Sequence, residues 1–92
     1  MILNFRHRGL RRLYERDDLR GVNPEHVSKL RNVLARLDVA QGPDDMNLPG
    51  FRLHPLRGDR SGTWAVTVRA NWRVTFRFEG EEVADVNYED YH

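Results

Sequence analysis

The chain has 92 residues, 39% of them hydrophobic and 32% charged, with no cysteine and a formal net charge of +1. That length suits a single domain over residues 1–92, burying roughly 65% of its unfolded surface around one helix-on-sheet core; the composition argues neither for disorder nor for a membrane span, and the missing cysteines exclude disulfides, thiolate nucleophiles and cysteine-based zinc sites. No apolar run nears the ~18 residues of a membrane span, and Met1 to Arg6 lacks the apolar stretch and cleavage site of a secretory signal, so a cytoplasmic protein with no membrane partner is expected.

Ile2 to Phe5 reads as a short first strand, and Leu10, Leu13 and Tyr14 then recur at helical spacing between arginines. This first helix is expected to end near Gly21, a residue that takes the left-handed conformation at little cost. The second helix has a cap in Asn23, a first-turn proline in Pro24 and one apolar stripe of Val27, Leu30, Val33, Leu34 and Leu37, stopped by Gly42-Pro43. Asp44 to Gly50 reads as a polar loop. Arg52 to Leu56 is a short strand whose Pro55 removes an amide donor and favours an edge, and Gly58 to Gly62 is a loop. Trp64, Val66 and Val68 alternate with Ala65, Thr67 and Arg69; Trp72, Val74, Phe76 and Phe78 alternate with Arg73, Thr75 and Arg77. Ala70-Asn71 and Glu79-Gly80-Glu81 make the two turns, and Ala84, Val86 and Tyr88 supply the apolar face of a last strand. The fold class is α+β: two N-terminal helices on one face of a small antiparallel sheet, in the order β-α-α-β-β-β-β.

The sheet's other face is left bare and carries arginine. Between residues 51 and 79 six arginines (Arg52, Arg57, Arg60, Arg69, Arg73 and Arg77) stand against Asp59 and Glu79, a local balance of +4, whereas residues 80–92 hold five acidic residues and no lysine or arginine. A small total charge therefore conceals a local basic block, the kind of distribution that a nucleic-acid partner requires.

Three motifs, Leu56-Arg57-Gly58-Asp59-Arg60-Ser61-Gly62, Val68-Arg69-Ala70-Asn71-Trp72-Arg73-Val74 and the terminal Asp90-Tyr91-His92, together resemble HigB toxins of the RelE superfamily, and the resemblance runs the length of the chain. It implies the RelE-like ribonuclease architecture and a toxin that enters the ribosomal A site and cleaves the messenger there, with mRNA, the ribosome and its 16S rRNA as partners. It implies restraint by a HigA-like helix-turn-helix antitoxin, through which alone operator DNA would be reached. By match to the family motifs, His54, Arg57, Asp90, Tyr91 and His92 fall at catalytic positions, and Arg73 and Asn71 at substrate contacts. The family commonly has lysine where this chain has Arg57. Arginine does not deprotonate at useful pH, so Arg57 is no base but still clamps a phosphate.

The residue types suit RNA cleavage without a metal or other cofactor. The neighbouring 2′-hydroxyl attacks phosphorus, which needs one group to take its proton and another to protonate the departing 5′-oxygen. Histidine, ordinarily near pKa ~6.5, serves either role. His54 or Asp90 is the expected base, His92 the acid, with Tyr91 positioning or assisting, while Arg57 and Arg73 balance charge on the phosphate. Arg60, Arg69 and Asn71 are expected to contact RNA. Arg77 can instead pair with an acid of the Glu81 to Asp85 segment. Trp64, Trp72, Phe76 and Phe78 share one face and are expected in the core rather than as base-stacking platforms. The arginines of the first helix (Arg6, Arg8, Arg11 and Arg12) form either a solvated face, with Glu15 pairing Arg11, or a phosphate-contacting surface for ribosomal RNA. His7 and His26 lack ligand spacing, so no metal site is expected, and Gly58 to Gly62 lacks the ending of a nucleotide-binding loop. The competing functions are a non-catalytic RNA- or antitoxin-binding corepressor module of the same fold and a protein-binding domain with incidental arginines.

Overall fold

The computed structural model describes residues 1–91. Two helices, α1 (Arg8–Arg16) and α2 (Val27–Val39), precede four antiparallel strands that lie side by side in chain order: β1 (His54–Pro55), β2 (Thr63–Arg69), β3 (Trp72–Glu79) and β4 (Glu82–Asp90). His92 lies outside the described residues.

The start of α1 is closed by a histidine: the Leu10 amide donates to His7 Nδ1 at 3.0 Å, satisfying one of the helix's orphan amides. Its end comes earlier than Gly21. Asp17 adopts the left-handed conformation (φ 54°) and its amide closes back on the Arg12 and Leu13 carbonyls, a conformation that the short Asp side chain tolerates. Gly21 serves a different purpose: it lies so close to Gly9 that a Cβ on either residue would strike the backbone of the other. Those two glycines let the chain after α1 fold back across the helix.

Asn23 accepts from the Glu25 amide at 2.9 Å and opens a single 3-10 turn, Pro24–His26, that leads into α2. The expected stripe of Val27, Leu30, Val33, Leu34 and Leu37 is buried in full. It packs against Val66, Val68, Val74, Phe76, Val83, Val86 and Tyr88 from the sheet. Truncating a fully buried member such as Leu30 would cost about 2–5 kcal/mol. Phe76 is fully buried, and Trp64, Trp72 and Phe78 pack partly buried against the same core.

Four local expectations change. The first strand is reduced to two isolated parallel bridges, Ile2 with Val83 and Phe5 with Val86. The stretch after α2 is more than a polar loop: Pro43–Met46 forms a 3-10 turn, and Met46 and Phe51 are core residues. Lys29 from α2 ties this stretch down, with its ammonium 4.7 Å from the Phe51 ring centroid and 3.0 Å from the Gly50 carbonyl. The Arg52 to Leu56 strand shrinks to two residues, because Arg52 is left-handed (φ 51°) and Pro55 has no amide to give. In β4 the face assignment changes partway. Asp85 is left-handed (φ 54°) at a bulge where the pairing shifts between Thr75 and Arg77, and an added residue exchanges the faces of everything beyond it. Val83 therefore joins Val86 and Tyr88 in the core, while Ala84 pairs with Arg77 on the bare face.

Candidate active site

The bare face of the sheet opens into a cleft of about 540 Å³ lined by His54, Leu56, Arg57, Arg60, Asn71, Arg73 and Tyr91, among others. Three chain segments converge there for local reasons. The left-handed turn at Arg52 aims that residue's carbonyl back at the imidazole two residues on, and His54 Nδ1 donates to it at 2.9 Å. Because a carbonyl only accepts, the proton sits on Nδ1, and Nε2 of the neutral ring carries the lone pair. Pairing of His54 with Ala65 puts the imidazole on the side of the sheet away from the helices.

The second segment is the β2–β3 hairpin, which turns at Ala70 in the left-handed region (φ 51°). It presents Asn71 and Arg73 to the cleft. The third segment is the end of the chain. The Tyr91 amide donates to the Asn71 carbonyl at 2.8 Å, and the Arg73 guanidinium lies 4.3 Å from the centroid of the Tyr91 ring. That separation is well within cation–π range. Asn71 thus secures the C-terminal segment through its main chain.

The expected residues do not all gather. His54, Arg57, Arg60, Asn71, Arg73 and Tyr91 line the cleft together. Asp90 is exposed beside it, paired in register with Trp72. Arg69 is exposed, 3.7 Å from Glu25 in an ion pair, and outside the cleft lining. His92, the expected acid, falls outside the described residues.

The face is also less basic than its arginine count suggests. Arg77 bonds Asp85 at 2.6 Å and Glu79 at 2.7 Å, which fulfils the expected pairing with the Glu81 to Asp85 segment. Arg60 and Arg73 both bond Glu89, each with a 2.7 Å contact to Oε1. Burial works to raise the Glu89 carboxyl, but the hydrogen bonds and charges of Arg60 and Arg73 outweigh it and hold the group below its usual 4.5. Arg57 lines the cleft with no ion pair among the described residues.

Glu89 is the cleft-side residue that reading the sequence missed. The signal for it was the pairing of β3 with β4. Counted back from the turn (Glu79 with Glu82), a regular hairpin would set Arg73 against Tyr88; the bulge at Asp85 moves the pairing by one and delivers Glu89 instead. His26 is buried, with Nδ1 2.6 Å from the Tyr88 hydroxyl and its ring against Trp72.

Fold and cleft together define a small α+β protein with a histidine and several arginines on the uncovered face of its sheet. A family model described as the RelE-like toxin of type II toxin-antitoxin system HigB matches residues 3–92. The chain belongs to that family of HigB-like toxins. It is also 44% identical to Endoribonuclease HigB of Proteus vulgaris over 92 residues, covering 100% of both chains.

Proposed function

We propose that this single-domain protein is a metal-independent endoribonuclease toxin that cuts messenger RNA in the ribosomal A site. The observation that carries this reading is the convergence of His54, Arg57, Arg73 and Tyr91 on one cleft of about 540 Å³. Those residue types match the demands of the reaction. With Nδ1 engaged by the Arg52 carbonyl, His54 offers Nε2 to the 2′-hydroxyl proton. The 2′-oxygen then bonds to phosphorus and the 5′-oxygen leaves, giving a 2′,3′-cyclic phosphate and a 5′-hydroxyl. Arg57, which has no ion pair among the described residues, and Arg73 supply fixed positive charge to the phosphoryl oxygens as charge builds there. His92 keeps its assignment from sequence as the donor to the leaving oxygen, and Asp90 and Tyr91 assist in orienting it. Asn71, Arg60 and Arg69 are assigned to the RNA path.

Ribosome dependence is supported by a second basic surface. Arg8, Arg12 and Arg16 on α1 are exposed and form no ion pair among the described residues, while Arg11 is 3.4 Å from Glu15 as its spacing predicts. Such a ridge suits 16S rRNA phosphates, contacts that position a protein without reading sequence. The family description places these toxins in type II toxin-antitoxin systems. A HigA-like helix-turn-helix antitoxin is accordingly the proposed restraining partner and the link to operator DNA, with the toxin acting in the cytoplasm.

The test is to map messenger cleavage ends in cells expressing the wild type, His54→Ala and His92→Ala. We expect cuts confined to translated frames, reduced about 10²- to 10⁴-fold by either substitution. Full activity in both variants would overturn the acid–base scheme. Growth arrest without any cutting would point to a non-catalytic binding module.

A further inference from the structure

Three groups at the edge of the cleft form a unit that the cleavage scheme leaves unexplained. Glu89 Oε1 accepts from Arg73 Nε at 2.9 Å and Nη2 at 2.7 Å, so one whole edge of that guanidinium is committed. The same carboxylate receives both terminal nitrogens of Arg60, Nη1 at 2.7 Å and Nη2 at 3.3 Å. Asn87 Nδ2 lies 3.4 Å from Oε2. The unit is graded in exposure: the side chain of Arg73 is 12% exposed, that of Glu89 23% and that of Arg60 42%.

This grading assigns different work to the two arginines. Arg73 is held on its edge by Glu89 and on its flat face by Tyr91, so a flexible side chain is reduced to one orientation beside the cleft. Arg60, with its fork spent on Glu89 and its side chain the most exposed of the three, acts as a brace on the carboxylate. Without Glu89, the Arg73 charge would be left largely buried with no counter-charge and every reason to swing toward water.

We propose that Glu89 is a positioning residue that fixes Arg73 for the scissile phosphate and, by removing one positive charge from the cleft, makes the protein hold RNA less tightly than its arginines alone would. The inference rests on the ribonuclease reading above. It carries a signature that a merely structural role lacks, because it moves binding and turnover in opposite directions. A lost charge tightens RNA binding and steepens its salt dependence by about one phosphate contact, whereas a loosened Arg73 slows the chemical step, by up to about 100-fold.

The experiment compares wild type, Glu89→Gln, Glu89→Asp and His54→Ala in cleavage of a defined messenger on programmed ribosomes. The same set is then titrated with a single-stranded RNA carrying a 2′-deoxy sugar at the scissile position, at several salt concentrations. For Glu89→Gln we expect kcat to fall about 10- to 100-fold, KM to fall, and the salt slope to steepen. Glu89→Asp keeps the charge but shortens the reach, so kcat should fall with the salt slope unchanged; it also serves as the test if Glu89→Gln does not fold, as judged by thermal unfolding. Wild-type or raised kcat in a folded Glu89 variant would overturn the proposal, as would a raised KM with kcat unchanged. If wild type does not cut the messenger, the nuclease reading itself is lost; if wild type cuts and His54→Ala is inactive while the Glu89 variants cut normally, only the positioning role is lost.

Discussion

Arg73 and Arg77 lie on the same face of β3, and each meets a carboxylate from β4, yet their two neighbourhoods differ in net charge. Around Arg77 two carboxylates, Asp85 and Glu79, meet two guanidiniums, because Arg6 lies 3.7 Å from Asp85. Around Arg73 one carboxylate, Glu89, serves two guanidiniums, and Arg57 stands in the same cleft without an ion pair among the described residues. The first neighbourhood is neutralised and the second retains about two positive charges. On the proposed reading, a strand of alternating arginines offers an anion site where the opposing strand runs short of acid. An ion-paired guanidinium costs something to redirect toward a phosphate, and an uncompensated one is drawn to it.

The largest expected effect probes the cleft end. Arg73→Ala should lower the cleavage rate by about 10²- to 10³-fold, the usual loss on removing one aimed charge. Arg73→Lys should recover only part of this, because an ammonium cannot bond Glu89 along an edge and stack flat on Tyr91 at once. Arg77→Ala, on the same strand and face, should change the rate by less than about 3-fold, a far smaller effect than at an aimed charge. Equal losses from the two alanine variants, measured on ribosome-bound messenger, would erase the distinction between the two ends.

A smaller effect separates them by pH. The Asp85 carboxyl is held below its usual 3.8, first by the Asn4 side-chain amide and then by Arg77, against the opposing effect of burial. A carboxyl lowered in the folded state stabilises the fold above its ordinary pKa, and that contribution is lost as pH falls through the lowered value. Thermal unfolding followed into the acid range below 3.8 should therefore show Asp85→Asn with a flatter acid limb than wild type, by about 2–4 °C. Glu89, lowered from 4.5, should add its own loss beginning at higher pH. An identical acid limb in wild type and Asp85→Asn would remove the Asp85 network from this account.

Much of the architecture was legible because it depends on periodicity. The α2 stripe, the alternation in β2 and β3 and the helix-first order all follow from where apolar side chains must go, and all appear in the structure. The elements that were misjudged are those whose backbone leaves the regular period. Asp17, Arg52 and Asp85 each take positive φ without being glycine, and although Asp tolerates that conformation, residue type alone does not announce it. Their consequences were the early end of α1, the short β1 and the changed face at Ala84. Met46 and Phe51 look like ordinary loop residues until the Lys29 contacts fold their segment onto the core.

The site divides along the same line. The match of the sequence motifs to the HigB family made His54, Arg57, Arg73 and Tyr91 the groups to watch, and an imidazole and two guanidiniums suit the proton and charge demands of the proposed reaction. Only the tertiary structure decided which arginines keep their charge for a ligand, because that depends on which acid stands opposite. A single added residue at Asp85 moves the β3–β4 pairing by one place and brings Glu89, rather than Tyr88, to Arg73. Pairing register is a property of two strands at once, and no pattern within either strand contains it.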